Sequence, residues 1–171
     1  MDGKGVGSLL SSVIDKAGFA VAMHDLLGHA VTAEVMMNSV ISARLGRDLG
    51  EITLLETKAI SQLSVNARIS LLEEIMQSEG WDYDFPFVIP VLRALFSMRN
   101  KLAHSLAYGL EASEAGGMTA VRWSFRRGAV TEETIPIETI MGLARSAEAV
   151  AMVEMSFLHV RALPASYWMA E

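Results

Sequence analysis

Apolar residues recur along most of this chain with a helical period, and in one late segment with a period of two. Ser8 to Leu45 reads as one long helix, with a break at Gly18 left open. Leu26, Leu27, Val31, Val35 and Asn38 or Ile41 mark its expected inner face, and Gly46 and Gly50 punctuate its end. Thr53–Ser61 predicts a short helix. Val65–Ser78 predicts another, with Ile69, Leu72 and Ile75 or Met76 inward and Gly80 as the stop. Trp81 to Pro86 reads as a loop, with Asp84 as N-cap of the next helix and Pro86 in its first turn. Pro90 requires that helix to kink or to start late, and it runs to about His104.

The pattern then changes. Ser105–Ala112 leads into a turn at Ser113–Gly117. In Met118–Phe125, Thr119, Val121, Trp123 and Phe125 alternate with Ala120, Arg122, Ser124 and Arg126, which predicts a strand. Arg127-Gly128 is a second turn, Ala129–Ile135 a third strand, and Ile137–Leu163 a closing helix ended by Pro164. The expected fold is mainly α: a helical bundle with a small antiparallel hairpin or meander inserted before the last helix. Residues 1–171 are expected to form one domain, with the glycine-rich first seven residues loose.

Composition narrows the function classes. Hydrophobic residues make up 51% and charged residues 20%, which suits a folded chain. Mean hydropathy is +0.33, but the most apolar stretches, Gly18–Leu45 and Ala147–Val160, are broken by His24, Asp25, Glu34, Glu148 and Glu154. No membrane span is expected; the surplus apolar surface points to an oligomer, and the eleven methionines to core or interface. There is no cysteine, so disulfides, thiolate metal sites and a thiol nucleophile are excluded. No secretory signal is visible at the N-terminus, and a cytoplasmic location is expected. The net charge of −6 argues against a general nucleic-acid coat and leaves only a local basic site.

One arginine breaks the pattern. Val88, Leu92, Leu95 and Leu102 share a stripe at about 100° per residue, with Val91 at its edge, and Arg99 falls in the middle. An arginine cannot shed its charge, and burying it unpaired costs several kcal/mol. Either a buried carboxylate such as Glu34, Glu73 or Glu56 locks it, or the stripe opens into a cleft where it meets an anion. His104, at the expected C-terminus of the same helix, favours the imidazolium form and can exchange protons near neutral pH. Asn100 lies four residues before His104 and shares its face. Arg99 and His104 are about 140° apart on a regular helix. They converge only if the helix ends before His104 or a second chain completes the site.

Met98-Arg99-Asn100-Lys101-Leu102-Ala103-His104-Ser105 resembles the signature of the HEPN superfamily, an arginine and a histidine separated by a four-residue spacer at a helix end. Leu63–Leu72 resembles a helix start of that superfamily, with Arg68 where a lysine often stands, and Glu34 is similar in placement to an early acidic residue. The resemblance implies a homodimeric helical bundle with two motifs facing across a cleft. It implies metal-free RNA cleavage with no cofactor: His104 moves protons, Arg99 holds the phosphate and Asn100 orients the site, with Glu34, Lys101 and Ser105 in support. Catalytic members are often toxins with an antitoxin partner or antiviral nucleases; others are non-catalytic modules binding a nucleotide or a regulatory protein. The tyrosine that often follows the histidine by two residues is missing: Leu106 stands there and Tyr108 lies four away. Val65–Leu72 is also similar to a helix of the mannitol-repressor family, a regulator reading opposed by the acidic balance.

Other constellations carry less. Arg122, Arg126 and Arg127 form a basic hairpin edge that could guide RNA, although alternation more simply puts Trp123 and Phe125 inward and the arginines in solvent. His24, Asp25 and His29 lack the histidine spacing of a helical zinc pair and are expected to pair at the surface; no metal site is expected. His159 reads as structural. No phosphate-binding glycine loop, nucleophile elbow or dinucleotide fingerprint is present.

Overall fold

The structure, a computed structural model, describes residues 4–103, 107–112, 118–126 and 129–164, and the side chains of 17–103, 121 and 132–164. It is a helical bundle with a three-stranded antiparallel sheet inserted before the closing helix. Helix α1 spans Lys4–Leu45 and passes through Gly18 without a break. Nothing in the surrounding fold approaches that glycine, so no packing demand bends the helix there.

The inner face of α1 is not the expected one. Leu26 and Ile41 are fully buried as expected, but their companions are Phe19, Ala22, Ala30, Ala33, Met37 and Val40. Val31 and Val35 are 64% and 54% exposed, and Leu27 is also exposed. The alanines let neighbouring helices approach closely, so the larger apolar side chains fall on the outer face. A helix that is apolar on both sides gives no periodic signal to choose between them.

The segment after α1 is one helical run. It passes from α2, Leu49–Leu54, through a π turn at Leu55–Ala59 to a 3₁₀ turn at Ile60–Gln62. The Asp48 side chain caps α2 by accepting from the Glu51 N–H. Ser64 caps α3, Val65–Glu79, by accepting from the Ala67 N–H, and Gly80 ends it at φ +70°. Ile69, Leu72, Ile75 and Met76 are buried as expected.

Trp81–Asp84 is a helical turn, α4, not a loop. Asp84 does not cap the next helix. Its carboxylate accepts from Arg161 Nη1 at 2.7 Å, and the Arg161 guanidinium lies 5.1 Å from the centre of the Phe85 ring. Helix α5 starts late, at Val88, with Pro90 in its first turn where no donor is needed, and runs to Ala103.

Strands β1 (Ala107–Ala112), β2 (Met118–Arg126) and β3 (Ala129–Pro136) form a meander in the order β1-β2-β3. Helix α6, Ile137–Ala149, follows β3 directly and continues through a π turn at Val150–Glu154 into α7, Met155–Ala162. This closing helix runs in the same direction as α1, because Gly18–His29 lie beside Met141–Glu148 and Ala43–Leu45 beside Arg161–Leu163. The core between them holds Leu26, Met37, Ile41, Leu72, Leu92, Leu95, Ile140, Met155 and Leu158. Among the described residues no helix is long and apolar enough to cross a membrane.

Candidate functional site

The last turn of α5 carries Arg99, Asn100 and Lys101. Leu95 and Leu102, one turn to either side of Arg99, are buried, as the stripe predicts. Arg99 itself is only half-buried. A long aliphatic stem can follow an apolar stripe while the guanidinium reaches outward, and this lets the stripe hold an arginine without burying its charge. Arg99 Nη1 donates to Asn100 Oδ1 at 3.1 Å.

None of the three carboxylates considered for Arg99 pairs with it. Glu34 accepts from Arg68 Nη2 at 2.6 Å, and Glu73 from Arg93 Nη2 at 2.6 Å. Glu56 accepts from Ser39 Oγ at 2.7 Å. Among the described residues Arg99 forms no ion pair. Of the two readings of Arg99, a lock by Glu34, Glu73 or Glu56 is not what the structure shows; among the described residues its side-chain partner is the neutral amide of Asn100.

Glu34 is drawn instead into a clamp between α1 and α3. Arg68 is 4% exposed and also donates to Asn38 Oδ1 at 2.7 Å through Nη1. The two residues of the resemblance outside the motif thus meet each other rather than Arg99. Lys101 makes the other long-range link: its Nζ lies 2.5 Å from Glu133 Oε1 and ties the end of α5 to β3. Nothing in the sequence pattern signals that pair, because 32 residues and two strands separate its members.

His104, Ser105 and Arg127 lie outside the described residues, as do the side chains of Arg122, Trp123, Phe125 and Arg126. Val121, on the same strand face as Trp123 and Phe125, is buried.

Asp25 and His29 do not pair with each other. With Gly18, Val21, Met141, Ala144, Arg145 and Glu148 they line a mostly apolar groove of about 280 Å³ between α1 and α6. No group of three or more histidine, aspartate or glutamate side chains fit to hold a metal ion occurs among the described residues. His159 is half-buried, and its Nδ1 has no partner. Glu154, in the π turn, keeps one buried carboxylate oxygen unpartnered, and burial pushes its pKa above the ordinary 4.5.

Comparisons with models of protein families, with curated proteins and with solved structures find no match to this chain.

Proposed function

We propose that this chain is a HEPN-type, metal-independent endoribonuclease whose site is Arg99, Asn100 and His104, contributed by two copies that face each other across a cleft. The observation that carries the reading is the state of Arg99. Arg99 is a half-buried residue at a helix end, bonded to Asn100, while every carboxylate considered for it is engaged elsewhere. An uncompensated guanidinium can bind a phosphate and stabilise the charge that builds on phosphorus.

In the chemistry implied, the ribose 2′-hydroxyl attacks the adjacent phosphorus. One histidine takes the 2′-hydroxyl proton while another protonates the departing 5′-oxygen, and the products are a 2′,3′-cyclic phosphate and a 5′-hydroxyl. A two-copy site supplies both histidines and removes the need for Arg99 and His104 of one helix to converge. Exposed Leu27, Val31 and Val35 on α1 and Phe157 and Val160 on α7 supply apolar surface for a second copy to cover. An antitoxin or regulatory protein is the further partner the reading implies.

The test is incubation of the purified protein with single-stranded RNA in EDTA, beside Arg99→Ala and His104→Ala. Cleavage by the wild type alone, leaving cyclic phosphate ends, is expected. Equal cleavage by all three, or none by the wild type, overturns the reading. In the second case, thermal stabilisation by a nucleotide that Arg99→Ala loses would indicate a non-catalytic HEPN-like module.

A further inference from the structure

Helices α1 and α6 lie side by side, and small residues line the seam between them. Gly18 and Ala22 of α1 and Ala144 of α6 put little side chain into it, and a Cβ built at Gly18 would meet nothing within 4 Å. The gap that remains is the groove of about 280 Å³, floored by the two buried alanines. Its lining is sorted along its length. Val21 and Met141, 59% and 44% exposed, stand at the end that comes first along both helices. Asp25 and His29 follow on α1, and Arg145 and Glu148 on α6, at spacings of three or four residues that keep each set on one helix face. The groove thus has an apolar end and a charged end.

The charges at that end do not neutralise one another. Arg44, Arg47, Arg68, Arg93 and Arg161 each pair with a carboxylate. Arg145 lines the same groove as two carboxylates, Asp25 and Glu148, yet among the described residues it pairs with neither. Asp25 and Glu148 likewise hold no other side chain among the described residues. One free cation and two free anions therefore border an apolar floor, and Arg99 is not part of this lining.

We propose that this groove binds a free α-amino acid with an apolar side chain. The Arg145 guanidinium takes its carboxylate through the planar fork, Asp25 and Glu148 take its ammonium, and the side chain lies over Ala22 and Ala144 towards Val21 and Met141. Charge complementarity selects this occupant. An apolar acid would meet Arg145 but also two carboxylates. An apolar amine would meet the carboxylates but also the guanidinium. A zwitterion gives both signs a counterpart, and its apolar side chain covers the floor. The volume agrees: about 280 Å³ stands at the lower edge of the roughly 300–1,000 Å³ of ligand pockets, which suits a small molecule. The imidazole of His29, which can donate or accept, closes the charged end. This binding goes beyond the ribonuclease reading and does not depend on it.

Nuclear magnetic resonance of the methionine methyl groups tests this, because Met141 lines the groove and the exposed Met152 does not. Leucine is expected to shift the Met141 signal saturably and to leave Met152 in place. Three analogues each lack one part of the match: glycine the apolar side chain, 3-methylbutylamine the carboxylate, and 4-methylpentanoate the ammonium. Each should bind at least tenfold more weakly than leucine. Arg145→Met and Asp25→Asn/Glu148→Gln change exposed residues and should keep the wild-type melting temperature. Each should weaken leucine binding at least tenfold. A Met141 signal that leucine does not shift, up to its solubility, overturns the proposal. So do analogues that bind as tightly as leucine, or variants that bind leucine as tightly as the wild type. Cleavage of RNA, present or absent, alters none of these outcomes.

Discussion

Arg68 of α3 donates to Glu34 of α1 across 2.6 Å, and this contact engages one of the three carboxylates considered for Arg99. Arg68 is buried, so its charge needs a carboxylate, and Glu34 is then withheld from the motif helix. Removing one member of a buried pair strands the other. Glu34→Ala is expected to cost on the order of 2–3 kcal/mol, somewhat less than a fully enclosed pair because Asn38 still accepts from Arg68. Replacing both members, as in Glu34→Leu/Arg68→Met, should recover most of that loss, since apolar residues of similar volume often match a buried pair. Urea unfolding of the two single variants and the double variant checks this. A double variant as unstable as the sum of the singles would show that the two residues are not coupled.

Arg99 makes the opposite prediction. It is half-buried, and its side-chain partner among the described residues is Asn100, so Arg99→Ala should change stability by no more than about 0.5 kcal/mol. RNA cleavage by the same variant should fall by 100-fold or more, as for loss of a group that stabilises transition-state charge. Thermal unfolding and single-turnover cleavage on one preparation separate the two effects. A large drop in melting temperature would make Arg99 a structural residue.

Burial of the Glu154 carboxyl raises its pKa above 4.5 in the folded chain. The folded state therefore holds this proton more tightly than the unfolded state. The group's contribution to stability is fully present below the unfolded value and is lost as pH rises through the higher folded value. Glu154→Met removes both the buried charge and the unpartnered oxygen. Its melting temperature at pH 7 should exceed that of the wild type, and the gap should narrow as pH falls below 4.5. A gap independent of pH would mean that packing alone produces it.

The sequence carried the order of elements because each boundary has a local cause. Gly80 needs a positive φ, Pro90 cannot sit deep in a helix, and the alternation of Met118–Phe125 fits only a strand. The inner face of α1 was not legible, because valines lie outward and alanines inward on a helix that is apolar all round. For the site, helical spacing put Arg99 on the right stripe but could not show how far its head reaches outward. Glu34 and Arg68 each stood out separately, yet a contact between two helices 34 residues apart has no local signature. The Lys101–Glu133 link was hidden for the same reason: it depends on how the sheet folds back on α5.

Gly28 and Gly46 should behave oppositely when replaced by alanine. Gly28 lies mid-way along α1, and a Cβ built there meets nothing within 4 Å. Gly28→Ala gains helix propensity with no clash and should stabilise the monomer by about 0.5–1 kcal/mol. Gly46 follows the end of α1, where the chain turns back under α2. A Cβ there would stand 2.6 Å from Ile52 Cγ1 and 2.9 Å from the Ile52 backbone nitrogen. The side chain of Ile52 is buried and the backbone nitrogen is held by its bond to the Asp48 carbonyl, so neither can move freely. Gly46→Ala should therefore destabilise by about 1–3 kcal/mol, the usual range for overpacking. Melting curves of the two variants under one condition decide it. Equal shifts would mean that α2 does not pack against the end of α1 as closely as this contact requires.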